Sequence, residues 1–248
     1  MTTVLVTGGV RGVGLGIVRG FLDAGFDVVT CSRHEPVNDL GKAEFIKADV
    51  RDLSQVGSLV SAVISRYGTL DVVVNNAGGA PPVDATTASP RLHAKIIELN
   101  LVAPLHVSQR ANTVMQQQET GGVILMIGSV SGTRASPGTA AYGAAKAGLA
   151  NLATSLAVEW APKVRVNTVV VGPVDTEQSH LHYGDAAGVT AVGETIPLGR
   201  MAVPADVARA CLWLASPGAA YVSGSTITVH GGGERPTFLA ASNAPEPS

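Results

Sequence analysis

The sequence predicts an α/β fold: a doubly wound parallel sheet of about seven strands with helices on both faces. Three observations carry this. Short β-branched runs alternate with longer helix-like segments along the 248 residues, the order expected of right-handed strand–helix–strand crossovers. Several strand runs are apolar on successive residues rather than alternately, as in strands covered on both faces. Hydrophobic residues make up 46% of the chain but aromatics only 4%, with 29 glycines. That balance suits close-packed elements of Ala, Val, Leu and Gly.

The strand candidates, in order, are "TVLVTG" (3–8), "DVVTCS" (27–32), "EFIKAD" (44–49), "LDVVVNNAG" (70–78), "GVILMIGS" (122–129), "VRVNTVVVG" (164–172) and "STITVHGG" (225–232). Helix candidates lie between them near 12–24, 54–67, 88–116, 140–160 and 205–215. No internal linker or repeat interrupts the series, so residues 1–248 are expected to form a single domain. Residues 176–198, "TEQSHLHYGDAAGVTAVGETIPL", show weak periodicity, three glycines and two histidines. They follow a strand end, where ligands collect in such sheets, and are expected to form a mobile substrate lid; an ordinary surface loop is the alternative. A mobile tail is expected at about 236–248, ending in the Pro-rich "NAPEPS".

The formal net charge is −2 and no lysine or arginine run stands out, so nucleic acid is not the expected partner. The two cysteines, Cys31 and Cys211, are far apart and read as reduced and buried, as in a cytoplasmic protein. "MTTVLVTGG" enters a strand at once, without the pattern of a signal peptide. No apolar run approaches a membrane span. His180 and His182 lack a third ligand nearby and are read as solvated lid residues; no metal is expected.

After the first strand comes "TGGVRGVG", Thr7 to Gly14. Gly8, Gly12 and Gly14 allow a tight turn and close approach to a pyrophosphate, and the following helix offers free N–H groups. A bare strand-to-helix turn is the alternative, but this placement is a good dinucleotide signal. The second strand ends in "TCSRH", with Ser32 and Arg33 and no acid. Arg11 and Arg33 suit a ribose 2′-phosphate, because guanidinium offers charge and forked donors. NADP(H) is therefore favoured, with NAD(H) as the alternative if both arginines are merely solvated.

Together these residues resemble the short-chain dehydrogenase/reductase family, in its single-domain form with TGxxxGxG and YxxxK motifs, and in particular its 3-oxoacyl-(acyl carrier protein) reductase-like members. After "TGGVRGVG" come "NNAG" (75–78), "ELNLVAP" (98–104), "GSVSG" (128–132), "YGAAK" (142–146) and "VGPVDT" (171–176), in the family's order. "PLGRMAVPADVARACLWLAS" and "YVSGSTITVHGG" resemble its C-terminal helix and last strand. The resemblance covers residues 3 to about 233 and implies a Rossmann-like fold and a homo-oligomer, a tetramer or dimer. It implies Tyr142 as general acid/base and Lys146 as the group that lowers its pKa and holds the nicotinamide ribose. Ser129 would orient the substrate oxygen, and Asn100 would hold a water in a relay to Lys146. The cofactor would be held by Thr7, Gly8, Arg11, Gly12, Val13, Gly14, Ser32 and Arg33 at one end. Asp49 and Val50 would meet adenine, Asn76, Ala77 and Gly78 would line the cleft, and Gly172, Val174 and Thr176 would lie near the nicotinamide.

Elementary chemistry asks for such a set. Reducing a ketone develops an alkoxide that needs a proton, and a phenol with a pKa near 10 becomes a base only with help from nearby positive charge. The i, i+4 spacing puts Tyr142 and Lys146 on one helix face, and Ser129 can polarise a carbonyl. Each residue has a plainer alternative: an exposed Tyr–Lys pair, a turn-closing Ser129, a satisfied buried amide at Asn100, or strand-ending side-chain bonds at Asn75 and Asn76. Two departures from the family stand out: Val171 precedes Gly172 where Pro is usual, and His230 replaces Asp before the closing glycines. The expected activity is NADP(H)-dependent interconversion of a ketone and a secondary alcohol. A catalytically silent dinucleotide-sensing protein is the alternative. Leu181, Tyr183, Val189 and Val192 in the lid point to a small, partly hydrophobic substrate.

Overall fold

A computed structural model describes residues 2–234 and 236–241. In chain order the elements are β1 (Thr3–Thr7), α1 (Gly12–Asp23), β2 (Asp27–Ser32), β3 (Glu44–Lys47), α2 (Leu53–Tyr67), β4 (Val72–Asn75), α3 (Pro90–Ile97), α4 (Ala103–Met115), β5 (Gly122–Ser129), α5 (Ala140–Glu159), β6 (Val164–Val171), α6 (His180–Tyr183), α7 (Ala186–Glu194), α8 (Pro204–Ala215), β7 (Thr226–Val229) and α9 (Thr237–Ala241). All seven strands are parallel, in the order β3-β2-β1-β4-β5-β6-β7. The longest register runs between β5 and β6, from Gly122 opposite Val164 to Ser129 opposite Val171.

The successive apolar residues have a direct cause. Neighbours along a strand point to opposite faces, and both faces are covered here. Leu5, Val29, Val73, Ile124 and Val166 pack with residues of α2, α4 and α5, including Leu59, Val107 and Leu149. Val4, Val6, Val28, Val72, Val74 and Val169 pack on the other side with α1 and α8, including Phe21 and Leu214. Local signals end the helices where expected. The Asp52 carboxylate caps α2 by accepting from Ser54 and Gln55 N–H, and Gly68 closes it at φ +77°.

The structure departs from expectation in three places. The helix expected over 88–116 is two helices joined by a π-helical turn, Glu98–Val102, an irregularity that often marks function. The 176–198 segment, expected to form a mobile substrate lid with an ordinary surface loop as the alternative, carries the short helices α6 and α7, and the bridge from Val174 to Ala202 lies at its base. The tail begins with α9, and residues 242–248 lie outside the described residues.

Glycines set the closest helix contact. A Cβ at Gly16 of α1 would lie 2.2 Å from Pro204 Cβ of α8, whereas one at Gly57 of α2 meets nothing within 4 Å. Gly16→Ala is therefore expected to cost about 1–3 kcal/mol by overpacking. Gly57→Ala is expected to stabilise by about 0.5–1 kcal/mol through helix propensity. Urea unfolding of both variants checks the contrast; a neutral Gly16→Ala contradicts the packing.

Candidate active site

β1 and β4 are spatial neighbours, but their chains leave the sheet in opposite directions, and a cleft of about 790 Å³ opens above the carboxyl ends of the strands. This is where ligands bind in doubly wound sheets. Apart from Thr7 and Asn100, every site residue expected from the sequence lines it.

At one end the glycine loop runs from β1 into α1. Gly8 and Gly12 adopt φ +67° and +52°. A Cβ on Gly14 would lie 2.3 Å from the Gly8 carbonyl oxygen, and one on Gly8 2.9 Å from Ala77 Cα. No side chain larger than hydrogen fits there without displacement, so the loop forms a backbone cradle at the start of a helix, suited to a phosphate. Thr7, expected to help hold the cofactor, does not itself line the cleft. It is buried beneath the loop, and its Oγ1 accepts the N–H groups of Asn76 and Ala77, both at 3.0 Å. Asn76 returns the tie by donating Nδ2 to the carbonyls of Thr7 and Gly8.

Beyond β2 lies the end where a ribose and adenine would sit. Ser32 is engaged locally: its hydroxyl donates to the His34 carbonyl and accepts the His34 N–H at 3.2 Å. Arg11 and Arg33 both line the cleft, and so does Glu35, an acid the sequence reading passed over. Asn38, also missed, donates Nδ2 to the Val10 carbonyl at 3.0 Å and ties this loop to the glycine loop. The Asp49 carboxylate takes a forked pair of bonds from Arg51, at 3.0 and 2.5 Å. These bonds hold Asp49 below the usual carboxylate range. Cys31 is buried under this end with its thiol pushed up to about 12 by desolvation, so it is an inert core residue.

At the opposite end, Ser129 closes β5, and Tyr142 and Lys146 rise one helical turn apart on α5. Ser129 Oγ accepts the Ser131 N–H at 3.2 Å. Burial holds the Tyr142 phenol above its ordinary value, opposed by the Ser129 hydroxyl. Lys146 is almost fully buried, donates Nζ to the Ile127 carbonyl at 2.8 Å, and sits 5.6 Å from the centre of the Tyr142 ring. The same desolvation pulls the ammonium itself down to about 8.

Asn100 sits in the π-helical turn, fully buried and away from the cleft wall. Its amide donates to the carbonyls of Gly79 and Ile96, both at 2.9 Å, and its Oδ1 accepts the Gly79 N–H at 2.8 Å. These bonds satisfy the amide and hold in place the chain that carries Gly78. A Cβ at Gly78 would lie 2.6 Å from Asn100 Oδ1 and 3.3 Å from Lys146 Nζ, so glycine there keeps the lysine close.

Gly172, Val174 and Thr176 also line the cleft, with Glu177, His182 and Tyr183 of the folded lid, which the sequence alone did not place in the cleft wall. His230 follows the edge strand β7 and packs on Gly172, where a Cβ would come within 2.8 Å of the histidine Cβ. Leu181 points away and is 63% exposed.

The buried ammonium has a stability consequence. Its folded pKa of about 8 lies below the ordinary 10.5, so the unfolded chain binds more protons between those values and stability rises with pH in that window. The full cost is carried below about pH 8. Lys146→Met is therefore expected to be more stable than the native chain at pH 7, by up to about 3 kcal/mol. The gap should shrink toward pH 10.5. Urea unfolding at pH 7 and pH 10 checks this, and a native chain more stable than the variant at pH 7 contradicts it.

Comparison with known proteins agrees with this geometry. Residues 8–234 match a family model described as enoyl-(acyl carrier protein) reductase. The chain is 35% identical to the 3-oxoacyl-(acyl carrier protein) reductase MabA of Mycobacterium bovis, covering 93% of this chain and 92% of that protein. It is 34% identical to a 3α-hydroxysteroid dehydrogenase of Mediterraneibacter gnavus, covering 92% and 94%. Among solved structures, a single-substitution variant of the actinorhodin polyketide ketoreductase with NADPH superposes with a TM-score of 0.87 at 30% identity, covering 93% of this chain and 96% of that one. Glycine cradle, Ser–Tyr–Lys cleft and matched relatives lead to one conclusion: the chain belongs to the short-chain dehydrogenase/reductase family, oxidoreductases that act on hydroxyl and keto groups.

Proposed function

We propose that the protein interconverts a ketone and a secondary alcohol with NADP(H), and that Tyr142 is its general acid/base. The observation that carries this reading is convergence. Ser129, Tyr142 and Lys146 line the same cleft as the glycine cradle. The cradle suits a dinucleotide, since a Cβ at Gly8 or Gly14 would collide with the loop's own packing and only glycine lets it close this tightly at the start of α1. When bound, the nicotinamide would supply or accept the hydride; everything else falls to the chain.

Ser129 donates its hydroxyl to the substrate oxygen and fixes its position. Tyr142 gives that oxygen a proton in reduction and takes one in oxidation. Lys146 spends one N–H on Ile127 and keeps two for ribose hydroxyls. Asn100 acts one step back, as a positioning residue that holds Gly78 and Gly79 against the lysine. Tyr142→Phe is expected to lower turnover by about 10²–10⁴-fold with little change in dinucleotide affinity. Steady-state rates and a fluorescence titration read the two separately, and normal turnover by the variant contradicts the role.

The raised phenol gives the two directions different pH profiles. Reduction draws on the protonated form, which predominates across neutral pH, so its rate is expected to stay level there. Oxidation needs the phenolate and should rise with pH above neutrality. A fall in oxidation rate between pH 7 and 9 contradicts this assignment.

NADP(H) is preferred in this reading because Arg11 and Arg33 both border the ribose end, although Glu35 shares that wall. Arg33→Ala is expected to raise KM for NADPH about tenfold, the loss of one charge-assisted contact, and to leave KM for NADH nearly unchanged. A native chain that prefers NADH overturns the preference. The substrate is a partly hydrophobic ketone or alcohol, consistent with Tyr183 on the cleft wall. A homo-oligomer and a cytoplasmic location complete the reading. The edge strand β7 exposes Thr226 and Thr228, and Trp213 of α8 is 46% exposed.

A further inference from the structure

The lid carries a carboxylate into the phosphate end of the cleft. Glu177 Oε1 accepts the Gly12 N–H at 2.9 Å. Gly12 opens α1, so its N–H is one of the first-turn donors with no partner inside the helix. The helix brings no anion of its own: its first turn lacks an acidic residue, and Arg11 before it makes no side-chain cap. A carboxylate 165 residues away in sequence takes that place.

A tightly bonded turn delivers Glu177. Ser179 is buried; its Oγ accepts the Thr176 N–H at 2.8 Å and donates to the Val174 carbonyl at 3.3 Å. The Gln178 N–H donates to Thr176 Oγ1 at 3.2 Å. At the base, the Asp175 N–H donates to the Ala202 carbonyl. With the backbone so pinned, rotation of the Glu177 side chain is the motion that frees the Gly12 donor.

A diphosphate in the glycine cradle needs those same first-turn donors. One N–H does not serve two acceptors fully, and two anions at one helix end repel. Accepting the dinucleotide reading above, we infer that Glu177 is a built-in competitor for the cofactor's diphosphate at the start of α1. It lowers dinucleotide affinity and so sets how readily the cofactor leaves. The sign is diagnostic: damage to a structural residue of the lid weakens binding, whereas loss of a competitor tightens it.

NADPH fluorescence titration of the intact chain, E177Q and E177A tests this, together with hydrogen exchange of the peptide containing Gly12, measured without nucleotide. E177A is expected to lower Kd about two- to fivefold, the range set by an anion at a helix N-terminus. E177Q, which keeps an acceptor without the charge, should fall between. Exchange at Gly12 should quicken in E177A. An unchanged or raised Kd in E177A, or unchanged exchange, overturns the inference. Failure of the native chain to bind either NADPH or NADH overturns the dinucleotide reading and this inference with it. That failure is told apart from the others because no titration, native or variant, shows binding.

Discussion

The cleft depends on the stitch between the carboxyl ends of β1 and β4. There the Thr7 hydroxyl accepts two N–H groups from Asn76 and Ala77, and Asn76 donates back to Thr7 and Gly8. The two strands are held side by side up to the point where their chains diverge. One chain turns through the glycine loop into α1; the other passes Gly78 toward the buried Asn100. The stitch lies between the phosphate cradle and the lysine, and it fixes the spacing of the two ends of the cleft. Partly buried, it is electrostatically stronger than the same bonds would be in water.

The second constraint is the ammonium of Lys146. Among the described residues its one acceptor is the Ile127 carbonyl, and burial brings it down to about 8. A group so placed does not help the resting fold. Such cost is typical of functional sites, where local consistency yields to chemistry. The Tyr142 phenol beside it is raised by the same desolvation. Burial thus moves both members of the pair toward their neutral forms.

Much of this was readable in the chain. Successive apolar residues such as Val72, Val73 and Val74 announce a strand covered on both faces, and all seven strands lie within the candidate ranges. The glycine loop and the Ser129, Tyr142 and Lys146 set were visible because their residue types and spacing are unusual in so bland a sequence. The rest was hidden for physical reasons. Thr7 reads the same whether it faces a ligand or the core. The π-helical turn at Glu98–Val102 adds its irregularity inside a continuous helical pattern. The lid helices are too short, α6 at four residues and α7 at nine, for a period to show. Glu177 meets Gly12 only through the fold, and Asn38 reaches Val10 from an irregular loop. Asn100 was legible in two ways, and its three bonds to backbone groups of Gly79 and Ile96 appear only in the fold.

Transfer of label is the most direct test of the chemistry. The intact protein is incubated with NADPH deuterated at the transferable C4 position and a panel of a 3-oxoacyl thioester, an alicyclic ketone and a 3-oxosteroid. Mass spectrometry then reads the alcohol formed. One deuterium on the carbinol carbon of at least one product is the predicted result. Alcohol without label there, or no reduction of any carbonyl by either NADPH or NADH, contradicts the assignment of the Ser129, Tyr142 and Lys146 cleft to carbonyl reduction.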